Sequence, residues 1–272
     1  MQLSEPIIQL KNLMHEHRNP YTDTLFRVEI DELTIERGDF AIVEGANGSG
    51  KSTFQNILAT LLQPTAVTEY HLLGMNLTAE LGSERSLGHI RRRLIGCAPQ
   101  QPELLPALTV EENVALPLRL NGRTATTARV QQILEGFGCR DAAGRSDLVR
   151  LARHRPHQLS GGQAQRVGLA RAVAHWPGIL FCDEATSNLD PLTKKSTLRF
   201  LDQLRREENL TIVMVTHDAA VAPFATVRIQ LELQAEGFSR LSRCHRRPQP
   251  SVSPFADRST ITNTPHNNGV QP

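Results

Sequence analysis

Nine consecutive residues, Gly45-Ala46-Asn47-Gly48-Ser49-Gly50-Lys51-Ser52-Thr53, combine a pliant backbone, hydroxyls and one cation at the spacing G-x-x-x-x-G-K-[ST]. Gly45, Gly48 and Gly50 let the chain fold tightly, so that backbone N–H groups converge on an anion. Lys51 offers a mobile charge to β- and γ-phosphates, and the Ser52 hydroxyl can ligate Mg²⁺. The flanks fit this chemistry. Phe40-Ala41-Ile42-Val43 reads as a buried strand, and Phe54, Ile57, Leu58 and Leu61 recur at helical spacing, with the helix starting near Lys51. Strand, glycine loop and helix in that order distinguish a phosphate-binding loop from a turn that only links two elements. The implied chemistry is binding of a nucleoside triphosphate.

A second anion-shaped segment is Leu159-Ser160-Gly161-Gly162-Gln163, opening a helix with Val167, Ala170, Val173 and Ala174 on one face. Ser160 is a good N-cap, which alone would account for it. Two glycines at the start of a helix are costlier, at about 1 kcal/mol each in propensity. In return they leave bare N–H donors that an anion can approach.

Two carboxylates follow. Ile179-Leu180-Phe181-Cys182 is a continuous apolar run of the kind buried on both faces of a parallel sheet, and it ends in Asp183-Glu184. Ligands of α/β folds bind at such carboxyl ends. Asp183 can hold Mg²⁺, directly or through water, leaving Glu184 to orient or deprotonate an attacking water. A second run, Ile212-Val213-Met214-Val215, ends in Thr216-His217-Asp218, where His217 can reach a γ-phosphate or the water.

The elements that must position these groups divide the chain. Pro6 to Val43 is β-rich, with near-alternation at Phe26, Val28, Ile30, Leu33 and Ile35, and His17 to Tyr21 is expected as a loop. The helix after the glycine loop stops before Pro64. Residues 66–96 suggest short strands near Tyr70–Leu73 and Leu94–Cys97 around a charged helical stretch, Glu84–Arg93. Its Arg91-Arg92-Arg93 run, without interleaved aromatics, reads as a solvated face. From 101 the pattern turns helical. Thr109 and Glu112 form a capping box, Pro117 limits the helix that follows, and Val130, Ile133, Leu134 and Phe137 repeat at helical spacing up to Gly138.

With 272 residues there is room for one large domain with an inserted lobe and a tail, and a net charge of +2 calls for no nucleic-acid partner. Cys97, Cys139, Cys182 and Cys244 lack C-x-x-C spacing and read as reduced thiols of a cytosolic protein. No signal peptide and no apolar run of membrane-spanning length is visible.

Taken in order, Gly45–Thr53, Gln100, Leu159–Gln163, Ile179–Glu184, Asp190 and His217 resemble the ATPase subunit of an ABC transporter, over about residues 6–233. The stretch Leu105–Val114 with Leu116-Pro117-Leu118 is most similar to the subgroup of lipoprotein-releasing, macrolide-export and cell-division ATPases. The resemblance implies an α/β fold: a P-loop NTPase core with a mostly parallel sheet, an N-terminal antiparallel β-subdomain and an α-helical subdomain inserted at about 101–165. By the same resemblance Gln100 contacts Mg²⁺ and the attacking water, Glu184 is the general base and His217 touches the γ-phosphate. Asp190 speaks across a dimer interface, and Ser160, Gly161 and Gly162 meet the γ-phosphate of ATP held on the other copy.

Three departures from the family pattern stand out. His17, with Tyr21 close by, occupies the place of the aromatic that stacks on adenine. Ala185 replaces a proline after the Asp-Glu pair, and Pro64–Leu73 lacks a glycine-bearing turn, so the small β-lobe is expected to be irregular. The implied assembly is a homodimer trapping two Mg-ATP, working with separately encoded integral membrane permease subunits at the cytoplasmic face of the membrane. The same ATPase driving transmembrane signalling without transport, or a soluble non-transport ABC ATPase, are the alternatives. The domain is expected to span 1–234, with 235–272 a disordered tail whose Arg240, Arg243, His245, Arg246 and Arg247 could touch anionic headgroups.

Overall fold

The computed structural model describes residues 6–18, 25–122, 127–234 and 238–247. The chain begins with strands β1 (Pro6–Arg18), β2 (Leu25–Glu36) and β3 (Phe40–Gly45), followed by helix α1 (Lys51–Leu58). Strands β4 (Glu69–Leu72) and β5 (Met75–Asn76), helix α2 (Glu84–Leu94) and strand β6 (Ile95–Ala98) come next. Four helices follow: α3 (Val110–Leu120), α4 (Thr127–Phe137), α5 (Asp147–Arg150) and α6 (Gly161–Val173). The remainder alternates as β7 (Ile179–Asp183), α7 (Pro191–Glu207), β8 (Thr211–Val215), β9 (Val227–Leu233) and β10 (Phe238–Arg246).

The strands form one sheet in the order β5-β4-β1-β2-β10-β9-β3-β8-β7-β6. From β9 to β6 every neighbouring pair is parallel, whereas β1, β2, β4 and β5 pair antiparallel. The continuous apolar runs explain the parallel half. Phe40 and Ile42, Leu180 and Cys182, and Ile212 and Met214 point into a core shared with α3, α4, α6 and α7. Their alternates Ala41, Val43, Ile179, Phe181, Val213 and Val215 point into a second core with α1 and α2. A sheet covered on both faces requires such runs.

Several sequence expectations are corrected. His17 and Arg18 belong to β1, paired with Phe26 and Leu25, and are not loop residues; Tyr21 lies outside the described residues. Leu61 is outside α1 and exposed, because Thr60 takes a left-handed backbone (φ 58°) that ends the helical run four residues before Pro64. Pro117 does not end α3, which runs on to Leu120. The β4–β5 hairpin is regular: Leu73 and Gly74, at φ 55° and 77°, make its two-residue turn, in the backbone region that matches the twist of paired strands.

Of the tail expected to be disordered over 235–272, residues 235–237 and 248–272 lie outside the described residues, and 238–246 are corrected, since β10 inserts between β2 (parallel) and β9 (antiparallel). Apart from buried Ser239, its side chains are partly or fully exposed, so no hydrophobic period marks it. Main-chain ladders on both sides hold it, helped by ion pairs from Arg240 to Asp31 and from Arg246 to Glu36 and the buried Asp39.

Candidate active site

Four adjacent parallel strands, β3, β8, β7 and β6, end side by side, and each delivers polar groups from its carboxyl end. Strand β3 runs into the glycine loop, β8 into His217, β7 into Asp183 and Glu184, and β6 into Gln100. Register makes this alignment tight, with Val215 paired to Val43 on one side and to Asp183 on the other. Asn47, Gly48, Gly50, Lys51, Ser52, Thr53, Gln100, Asp183, Glu184 and His217 all line one open cavity of about 630 Å³.

The glycine loop is built by close approach. A Cβ on Gly45 would stand 2.4 Å from the Leu231 carbonyl oxygen and 2.6 Å from Ser49 Oγ. Gly50, at φ 76°, would put a Cβ 2.7 Å from both Phe26 Cζ and Val28 Cγ2, so β2 presses on the start of α1. Ser49 is buried behind the loop. Lys51 Nζ donates to the carbonyls of Gly45 (2.9 Å) and Ala46 (2.8 Å), which hold the ammonium over the loop.

Glu184 sits between two polar side chains of the cleft. Gln100 Nε2 donates to its Oε2 at 3.1 Å, and His217 Nδ1 lies 3.0 Å from its Oε1. Its backbone is left-handed (φ 43°), a strained conformation for a glutamate and of the kind that persists at functional sites. The surroundings hold it there, with its N–H donating to Val215 O at 3.0 Å and its carbonyl accepting from Ser187 N at 3.0 Å and Gln165 Nε2 at 3.4 Å.

Ser52, Gln100 and Asp183 share the cavity and offer oxygen donors. Among the described residues no cluster of three or more His, Cys, Asp or Glu could hold a metal alone. That donor set fits Mg²⁺, which takes one or two protein oxygens and completes its shell with phosphates and water.

The segment of residues 159–163 is not part of this cavity. Ser160 caps α6, its Oγ accepting from Gln163 N at 3.3 Å while Gln163 Oε1 accepts from Ser160 N at 2.9 Å. A Cβ on Gly161 would meet nothing within 4 Å, and one on Gly162 only ordinary contact with Leu189 at 3.4 Å. Packing within this chain therefore asks for neither glycine. Asp190 is also elsewhere, capping α7 by accepting from Leu192 and Thr193 N–H at 3.1 Å; the Thr193 side chain, with these N–H groups, holds its carboxyl below the usual range.

His17 is exposed on β1 and is not among the cavity-lining residues; its strand partner Phe26 is. Phe26 was hidden in the sequence because its place in an alternating strand already explains an aromatic. Gln165 was missed too. Buried on α6, it bonds Gln100 O, Glu184 O and Asn188 N at 3.3–3.4 Å, tying three site segments to the helix that Ser160 caps.

Comparison with known proteins identifies the family. The family described as ABC transporter matches residues 28–187. The chain is 40% identical over 205 residues to the lipoprotein-releasing system ATP-binding protein LolD 1 of Chlorobium chlorochromatii, covering 73% of this chain and 77% of that one. It superposes on the dimeric structure of the cassette MJ0796 of Methanocaldococcus jannaschii with a TM-score of 0.75, at 34% identity over 88% of this chain and 98% of the other. A post-hydrolysis dimer of the same cassette bound to ADP and Pi matches with a TM-score of 0.72, at 32% identity over 88% and 98% of the two chains. With its phosphate loop, strand-end carboxylates and strand-end histidine in one cleft, the chain belongs to the ABC transporter family and is one of its ATP-binding, ATP-hydrolysing subunits.

Proposed function

We propose that two copies of this chain close head to tail on two ATP molecules, and that hydrolysis drives separate membrane permease subunits to which the ATPase is docked on the cytoplasmic side. The observation that carries this reading is the convergence of Gln100 and His217 on the Glu184 carboxylate beside the Lys51 loop. Support for the pairing comes from the open tip of α6, where no atom of the described residues lies within 4 Å of a Cβ placed on Gly161, and from the dimeric state of the solved relative MJ0796. Among the described residues no helix is long and apolar enough to cross a membrane, so work on a membrane needs a partner that does.

In this reading each group of the cleft has one task. N–H groups of Asn47 to Thr53 and the Lys51 ammonium grip the β- and γ-phosphates. Ser52 and Asp183, with Gln100, would hold Mg²⁺, which supplies charge neutralisation on the phosphate oxygens. Glu184 takes the proton of the attacking water, aligned by Gln100, while His217 steadies the carboxylate and the γ-phosphate. Phe26 offers an apolar face for the base at the cavity wall, where His17 and Tyr21 were expected to serve.

The test is ATP-dependent self-association of the Glu184→Gln variant, followed by light scattering. Dimers that form only with Mg-ATP, and that Ser160→Arg abolishes, support the reading. A chain that stays monomeric at saturating Mg-ATP contradicts it.

A further inference from the structure

His217 owes its place to a turn as well as to Glu184. The turn begins where Asp218 N donates to Thr216 Oγ1 at 3.0 Å, and it closes through Ala220 N to Asp218 Oδ1 at 2.9 Å and Val221 N to Asp218 O at 3.1 Å. The other carboxylate oxygen of Asp218 leaves the turn and accepts from Lys194 Nζ. Lys194 stands in the first turn of α7, its N–H bonded to the carbonyl of Asp190 at 2.8 Å. The Lys194 side chain is only 14% exposed and that of Asp218 27%, so the pair is shielded from water and outweighs an ordinary surface contact. Neither residue lines the nucleotide cavity, and Asp218 is the immediate neighbour of one that does.

We infer that Lys194 is a positioning residue for hydrolysis: through Asp218 it fixes the His217 turn to the start of α7, and thereby to Asp190. The ion pair also neutralises a carboxylate that would otherwise stand uncompensated next to His217, on the side where polyphosphate charge arrives. The side chain of Asp190 does not take part in this link, which runs through its carbonyl and the helix it caps. A contact made at Asp190 by a second copy therefore has a short, rigid route to His217. This inference rests on the assignment of His217 to the γ-phosphate.

The experiment measures Mg-ATP hydrolysis by the full-length chain as wild type, Lys194→Met, Lys194→Arg, Asp218→Asn and the Lys194→Met/Asp218→Asn double variant, with His217→Ala in parallel. Asp218→Asn keeps an acceptor for the turn and removes the charge. Lys194→Met should lower kcat by about tenfold or more with KM for ATP unchanged, since sub-ångström misplacement of an aligning group acts on the chemical step. Lys194→Arg should restore kcat to within about twofold, and the double variant should be no slower than the worse single, because both act through one contact. Wild-type kcat in Lys194→Met, losses that multiply in the double variant, or failure of Lys194→Arg to rescue would each overturn the inference. If His217→Ala itself turns over like wild type, the assignment beneath it fails instead; if His217→Ala is slow and Lys194→Met is not, only the role of Lys194 falls.

Discussion

Gln100 and Glu184, 84 positions apart in sequence, meet at 3.1 Å because β6 and β7 lie side by side and both end at the cleft. That hydrogen bond fixes the orientation of the Glu184 carboxylate. Removing the basic oxygen while keeping the shape should isolate its role. Glu184→Gln is expected to slow hydrolysis by about 10²–10⁴-fold with ATP binding retained. Single-turnover assays beside equilibrium nucleotide binding check both halves. Lys51→Ala, in contrast, should lose binding and turnover together under the proposed mechanism, in which the ammonium that the Gly45 and Ala46 carbonyls hold over the loop grips the phosphates.

Gly161 offers a dissociation of stability from activity. Its Cβ position is open space, so Gly161→Ala should leave the fold intact and raise helix stability by up to about 1 kcal/mol. Turnover should nonetheless fall about tenfold or more if the proposed head-to-tail dimer is right, because the added methyl would sit where a phosphate of the second copy reaches bare N–H groups. Thermal melts and steady-state rates on the same preparation check this pair of outcomes.

Phe26 should matter for affinity rather than for chemistry. If it supports the base, Phe26→Ala removes aromatic contact worth about 1–3 kcal/mol, raising KM for ATP by about 5- to 150-fold at nearly constant kcat. His17→Ala should change KM less, since that side chain is exposed on β1 outside the cavity. Competition binding with ATP and inorganic triphosphate separates loss at the base from loss at the phosphates.

The helical lobe carries a pH-dependent clamp. Burial opposes the charged form of Asp147, but the Arg166 guanidinium and the N–H groups of Cys139 and Leu148 outweigh it and hold the carboxyl below its ordinary 3.8. A depressed pKa means stability that is complete above the unfolded value and lost as pH falls through the folded one. Urea unfolding at neutral pH should show Asp147→Ala less stable than wild type by about 3 kcal/mol, as expected when one partner of a mostly buried pair is removed. The gap should narrow as the pH drops below 3.8.

What could be read in the sequence followed from how each element is buried. Ile179–Cys182 and Ile212–Val215 were legible because a strand covered on both faces must be apolar throughout. The glycine loop and the Ser160 helix were legible because anion chemistry needs those residue types at that spacing. Gln165 was not, since a polar residue on a helix usually marks a solvated face, and here it is buried with its amide shared among three loops. The left-handed backbone of Glu184 has no sequence signature either, because the long-range partners Val215 and Gln165 impose it.

Strand β10 bears on every preparation of this protein. It alone joins β2 to β9 in the described sheet, and its Arg246 faces the buried carboxylate of Asp39. A shortened version ending at residue 234, which composition recommends, would split one sheet into two open-edged halves and leave the buried Asp39 with hydrogen bonds from Glu36 N and Thr226 Oγ1 but without the Arg246 charge. The seam between the halves, one of which carries Phe26 and the other the phosphate loop, is closed by β10 alone among the described strands.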